Sequence, residues 1–155
     1  MSLTQVKEFL KQFNRDQDII EFNKSSATVE LAAQALNCAP ERIAKTLSFK
    51  VNNQTILIVT AGDMKIDNHK YKELFKTKAK MLSREEVLPA IGHEVGGVCP
   101  FAVNTDIKIY LDKSLQRFKT VFPACGSSNS AIEITINDLI NYTQASWVDI
   151  CKAIS

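Results

Sequence analysis

The chain has 155 residues, 45% hydrophobic and 23% charged, with a formal net charge of +2. That length suits a single domain, 1–155, burying roughly 70% of its unfolded surface on folding. No uncharged run approaches the ~18 residues of a membrane span, and the charged amphipathic N-terminus lacks an apolar signal core, so a cytoplasmic location and no membrane partner are expected.

Leu3, Val6, Leu10 and Phe13 recur at helical spacing behind a Ser2–Gln5 capping box, predicting a first helix. "DIIEFN" reads as a short strand. A second helix, capped by Ser26 or Thr28, runs through "VELAAQAL" to Asn37, and Pro40 opens a brief helix over "PERIAK". "TLSFKVNNQTILIVTAGD" reads as a hairpin turning at Asn52-Asn53, its second strand apolar enough to be covered on both faces. Asp67 caps a helix through Leu74, and Ser83 with Glu86 boxes another that Gly92 ends. "DIKIYLD" and "FKTVF" look like paired strands, and "AIEITI" like a further one. Asn137 is placed to cap "DLINY", and Ser146 with Asp149 to cap a last helix burying Trp147, Ile150 and Ile154. Strands and helices without strict alternation make the fold α+β with a mixed sheet.

Cys38, Cys99, Cys125 and Cys151 are widely spaced with no C-x-x-C pair, so reduced thiols are expected. Only His69 and His93 could join them as metal ligands, and the spacing argues against a metal site. Between Lys65 and Lys80, six lysines stand against Asp67 and Glu73, a local charge of +4. Such a segment is either a solvated face or a contact for a phosphate backbone.

Two features could carry chemistry. Lys45, in "RIAKTLSF", has apolar neighbours; it either snorkels to solvent or aims a partly desolvated ammonium at a carbonyl or phosphate oxygen. "GHEVGGVCPFA" (92–102) holds three glycines where a tight turn needs one. Glycines let backbone N–H groups approach a ligand, and Pro100 stiffens the exit. "ACGSSNSA" (124–131) either lines the same cavity or is a hairpin loop. The stretch lacks the second histidine of H-E-x-x-H and is neither a P-loop nor a dinucleotide fingerprint. Cys99 beside His93 invites a thiol-hydrolase reading, although a packing role suits a small cysteine better.

"RIAKTLSFK", "TAGDMKID", "MLSREEV", "GHEVGGVCPFA" and "PACGSSNSAIEITINDL" together resemble the YbaK/ProRS-associated domain family of trans-acting aminoacyl-tRNA editing proteins, over roughly residues 20 to 142. The resemblance implies a mixed, partly barrel-like sheet flanked by helices, and no cofactor. It implies a deacylase of mischarged tRNA, with proline tRNA carrying a small non-cognate amino acid as the foremost substrate and an aminoacyl-tRNA synthetase as a possible partner. It assigns catalysis to Lys45, and the family's G-x-x-x-P loop to Gly96, Gly97, Val98, Cys99 and Pro100. Thr46 falls near the terminal ribose and Gly126 on a late glycine loop. Lys70, Lys72, Lys76, Lys78 and Lys80 become candidate tRNA contacts.

Many relatives continue the loop as Pro-Phe-Gly where this chain has Ala102, and Ser127 to Ser130 replace a basic-glycine pair and an acidic residue. These departures bear on substrate identity. The implied chemistry is hydrolysis of the aminoacyl ester, with Lys45 and loop N–H groups stabilising charge on the carbonyl oxygen, each good donor contributing ~3–4 kcal/mol. Water, or water assisted by the ribose hydroxyl, is the expected nucleophile. The alternative is a non-catalytic tRNA- or synthetase-binding module of the same fold.

Overall fold

The computed structural model describes residues 2–26 and 28–154. Helix α1 (Ser2–Lys11) buries Val6 and Leu10, as its spacing predicts. Ser2 opens this helix rather than capping it: its hydroxyl donates to the Gly92 carbonyl at 3.3 Å. The position before it lies outside the described residues. "DIIEFN" contributes a two-residue strand, β1 (Ile20–Glu21). Of the two caps expected for α2 (Val29–Leu36), Thr28 is used, its hydroxyl accepting from the Leu31 N–H.

The helix expected over "PERIAK" shrinks to one 3-10 turn, Pro40–Arg42. Ile43, Ala44 and Lys45 instead begin β2 (Ile43–Val51), because they pair with β3 (Gln54–Ala61), Ala44 lying opposite Ala61. Asn52 and Asn53 turn this hairpin with φ of 49° and 68°, the two positive values of a type I′ turn. From Ile56 to Ala61 every residue of β3 is buried.

After β4 (Met64–Ile66), Asp67 caps α3 (Asn68–Phe75), accepting from the N–H groups of His69 and Lys70. The Ser83–Glu86 box starts α4 (Arg84–Ile91), and Gly92 ends it in the left-handed region at φ 99°. The remaining elements are β5 (Lys108–Asp112), β6 (Thr120–Pro123), β7 (Ser130–Ala131), β8 (Ile134–Thr135), α5 (Ile136–Thr143), β9 (Ser146–Val148) and β10 (Cys151–Ala153).

Six strands form one curled mixed sheet in the order β8-β6-β2-β3-β5-β9. β5 and β6 are not paired with each other. Each runs parallel to its own side of the hairpin, β5 beside β3 and β6 beside β2. The turn between them is pinned across the hairpin's end, where the Ser114 hydroxyl accepts from the Ala61 N–H and Arg117 grips Asp63. "AIEITI" is split into β7 and β8, which pair with β1 and β6. Thr135, not Asn137, caps α5 by accepting from the Asp138 N–H.

The predicted last helix is two strands. β9 pairs with β5 and β10 with β4, while the Asp112 carboxylate accepts the Ile150 N–H at 2.9 Å. Available sheet edges thus override a helical pattern. Ile150 is still buried, Trp147 partly so, and Ile154 is exposed.

The core lies on both sides of β3. Val59, Ala61 and Leu111 pack with α1 and α5, while Ile56 and Ile58 pack with Phe49 and Tyr71 of α3. Each valine, leucine, isoleucine and phenylalanine among them contributes about 1.5–3 kcal/mol by leaving water. Among the described residues, no helix is long and apolar enough to cross a membrane.

Candidate active site

The ladder on the outer edge of β2 is interrupted. β6 pairs with it only at Ile43 and Ala44 and ends at Pro123, which has no N–H to extend the ladder. Pairing resumes where the Ser48 carbonyl accepts from the Leu82 N–H, and the Lys50 N–H donates to the Lys80 carbonyl. Alternate residues of a strand face the same neighbour, so Thr46 directs its backbone groups to this edge as Ser48 and Lys50 do. A cavity of about 310 Å³ lies along the gap, at the small end of the roughly 300–1,000 Å³ of ligand sites. One part of its wall is the apolar cluster of Val29, Ala32, Ile43 and Phe122; another is that of Leu82, Val87 and Val98.

Lys45 and Thr46 both line this cavity. Burial holds the Lys45 ammonium below its ordinary pKa of 10.5, with the negative field of Asp63 opposing. Asp63 itself is taken by Arg117, whose two terminal nitrogens reach its carboxylate at 3.0 and 2.6 Å. No carboxylate among the described residues lies within ion-pair distance of Lys45. The Thr46 hydroxyl is buried with no hydrogen-bond partner among them either. A half-buried cation and an unsatisfied hydroxyl, both costly to folding, therefore sit at the same gap.

The glycine-rich loop meets the cavity through Val95, Gly96 and Val98. Gly96 has φ 92°, and the Gly97 N–H donates to the Glu94 carbonyl at 2.9 Å, closing a tight turn. This corrects the expectation that both glycines bare their N–H groups to a ligand. Gly97 is buried outside the lining, and a Cβ there would come within 2.7 Å of the Gly126 carbonyl oxygen. Gly126, also outside the lining, has φ 91° and would press a Cβ to 2.7 Å from the Ser2 carbonyl oxygen. These two glycines weld the loop, the late turn and α1 together.

Cys99 and Pro100 are buried behind the wall and do not line the cavity. Burial pushes the Cys99 thiol up to about 12. His93 Nε2 lies 2.6 Å from the Phe101 carbonyl, which can only accept, so that nitrogen carries the proton and cannot serve Cys99 as a base. A thiolate nucleophile is thereby excluded in this geometry. Ala102 has φ 54° and lies outside the lining, so a glycine there would suit the backbone rather than a ligand. Of the 124–131 stretch, Ala124, Ser130 and Ala131 line the cavity. The Ser128 carbonyl accepts from the Ser26 hydroxyl at 2.8 Å, and the Asn129 amide donates to the Phe22 carbonyl at 3.0 Å, strapping the approach to α2 in place.

Lys72, Lys76, Lys78 and Lys80 are exposed, and Lys76 ends α3 at φ 62°. Lys70 is engaged, its ammonium 3.2 Å from both the Asp149 carboxylate and the Cys151 carbonyl. None of the five lines the cavity, but Lys80 directly precedes Met81, which does. Sequence reasoning missed Arg84, Met81, Val29 and Phe122 as lining residues. The helix that carries Val29 and Ala32 was legible, yet nothing local showed that β6 would stop beside it.

The model of the aminoacyl-tRNA editing domain matches residues 23–142. An uncharacterized Bacillus subtilis protein, YwhH, is 54% identical, with 98% of each chain covered. The proline–tRNA ligase of Geobacillus sp. (strain WCH70) is 28% identical over 79% of this chain, which spans only 22% of that enzyme. A crystal structure of a candidate trans-editing enzyme for prolyl tRNA synthetase superposes with a TM-score of 0.89 at 27% identity, covering 98% of both chains.

Proposed function

The chain belongs to the aminoacyl-tRNA editing domain family, and from that premise we propose that it is a deacylase clearing mischarged tRNA in trans in the cytoplasm. The proposed substrate is proline tRNA carrying a small non-cognate amino acid, a choice supported by the likeness to a proline–tRNA ligase and to a candidate trans-editing enzyme. One observation carries the reading: a half-buried lysine without a carboxylate partner and, at the next residue, a hydroxyl without a hydrogen-bond partner line the same apolar gap among the described residues.

Ester hydrolysis develops negative charge on the carbonyl oxygen. Lys45 stabilises that charge, and its own desolvation strengthens the interaction. Thr46 supplies a hydroxyl to the ribose, and the wall formed by Gly96 and Val98 holds the ester against β2. Water attacks the carbonyl carbon and the ribose oxygen leaves with a proton. Val29, Ala32 and Phe122 bound the space for the amino-acid side chain and reject larger ones sterically. A single methylene is worth only ~1–3 kcal/mol, which is why a clearing step separate from charging is useful. The step assigned to Lys45 requires no metal, and dialysis against a chelator is expected to leave the rate unchanged.

Release of amino acid from a panel of mischarged tRNAs tests the reading. Lys45→Ala is expected to lower the rate by about 10²–10³-fold. Wild-type protein that clears no member of the panel, or Lys45→Ala that clears as fast as wild type, refutes it. Binding of tRNA with a steep salt dependence and no cleavage would instead support the binding-module reading.

A further inference from the structure

Arg84 is the first residue of α4, exposed, and part of the cavity lining. Nothing in the stability of the fold accounts for it there. A cation at a helix N-terminus opposes the macrodipole, and no carboxylate among the described residues pairs with it. Its neighbour Glu86 is already committed to the Lys50 ammonium at 2.7 Å and the Ser83 N–H at 2.8 Å. The lining contains two cations, Lys45 and Arg84, and no aspartate or glutamate. Met81 and Val95, which line the same cavity, are large apolar side chains left 55% and 44% exposed. The cavity thus offers a half-buried positive charge, an apolar rim and a second, solvent-facing positive charge.

These three features match the groups at the end of a charged tRNA. The aminoacyl ester hangs on the terminal ribose, the base has an apolar face, and the next group along the chain is a phosphodiester. We propose that Arg84 binds the phosphodiester on the 5′ side of the terminal adenosine, with Met81 and Val95 against the adenine. The assignment rests on the editing function proposed above. A guanidinium suits this role because its planar fork meets two phosphate oxygens at once. Lys78 and Lys80, outside the lining, are left to the preceding nucleotides.

The test uses two stable ligands, adenosine carrying 3′-amide-linked alanine, with and without a 5′-phosphate, titrated calorimetrically into the full chain. Wild type is expected to bind the phosphorylated ligand about 10–100-fold more tightly, a preference that shrinks as salt rises. Arg84→Ala should abolish the preference while keeping wild-type affinity for the unphosphorylated ligand, which also shows that it is folded. Arg84→Lys should keep part of the preference. If Arg84→Ala loses both ligands, Arg84→Gln and Arg84→Lys carry the same comparison. Wild type binding both ligands equally, or Arg84 variants keeping the full preference, overturns the Arg84 assignment and leaves the editing function standing. Wild type binding neither ligand overturns the editing function and this assignment with it.

Discussion

Gly97→Ala separates a glycine needed for close packing from one needed for a turn. The added Cβ would lie 2.7 Å from the Gly126 carbonyl oxygen and 2.9 Å from the Ser127 nitrogen, both backbone atoms with no rotamer to yield. Ordinary contact begins near 3.4 Å, so the loop must retreat by about 0.7 Å. Overpacking of this kind costs ~1–3 kcal/mol, which for a chain this size lowers Tm by roughly 3–10 °C. The neighbours Gly96 and Val98 line the cavity, so the retreat moves its wall. Misplacement on the order of 1 Å costs about 10²-fold in rate, and kcat/KM for deacylation at 25 °C should fall about 10–100-fold while the protein is still folded. Gly92→Ala is the control. Its φ of 99° makes it strained, but its Cβ would meet only the Asn104 side chain, at 3.2 Å. It should lose about 1 kcal/mol of stability and keep wild-type kcat/KM. Equal loss of activity in both variants, or wild-type activity in Gly97→Ala, would refute the packing argument.

Lys45→Met should raise stability at pH 7 by on the order of 0.5–2 kcal/mol while lowering activity by about 10²–10³-fold. The folded state depresses the lysine's pKa, so its penalty is full at neutral pH and fades as pH rises toward 10.5, which thermal melts across pH will show. In wild type the same shift predicts that deacylation falls on the alkaline side at a pH below 10.5. Ala102→Gly relieves a left-handed alanine at φ 54° and should stabilise by about 0.5–1 kcal/mol, read by denaturant titration, without changing substrate choice. Lys50 and the Ser83 backbone hold the Glu86 carboxyl down at about 2, so its contribution is present above 4.5 and lost as pH falls toward 2. Glu86→Gln, which can still complete the capping box, should flatten the dependence of Tm on pH in that window.

Local chemistry was legible wherever the chain decides its own conformation. The Asn52-Asn53 turn, the Asp67 cap, the Ser83–Glu86 box and the Gly92 stop all depend on neighbours within a few residues. Ser146 to Ala153 failed because the same apolar residues satisfy a helix or a strand, and the free edges of β5 and β4 settle the matter. The partners of "DIKIYLD" and "FKTVF" failed likewise: their alternation suggested that they pair with each other, but Ala61 and Asp63 anchor the turn between them across the sheet. Lys45 and the glycine loop were legible through the pattern they share with a family, and Arg84 was not, because an arginine at a helix start looks like ordinary surface.

The glycines of residues 92–102 divide the work in a way that composition could not show. Gly92 stops a helix, Gly96 makes a turn at the cavity, and Gly97 lets the loop touch Gly126. The ligand-facing gap comes from another element. Pro123 ends β6 beside Ala44, and Leu82 does not rejoin β2 until Ser48, so Lys45, Thr46 and Leu47 lie between two ladders. The strand is held at both ends while its middle faces a cavity, so Lys45 is positioned rigidly without a carboxylate to quench it. A fully paired β2 would leave no cavity at Lys45.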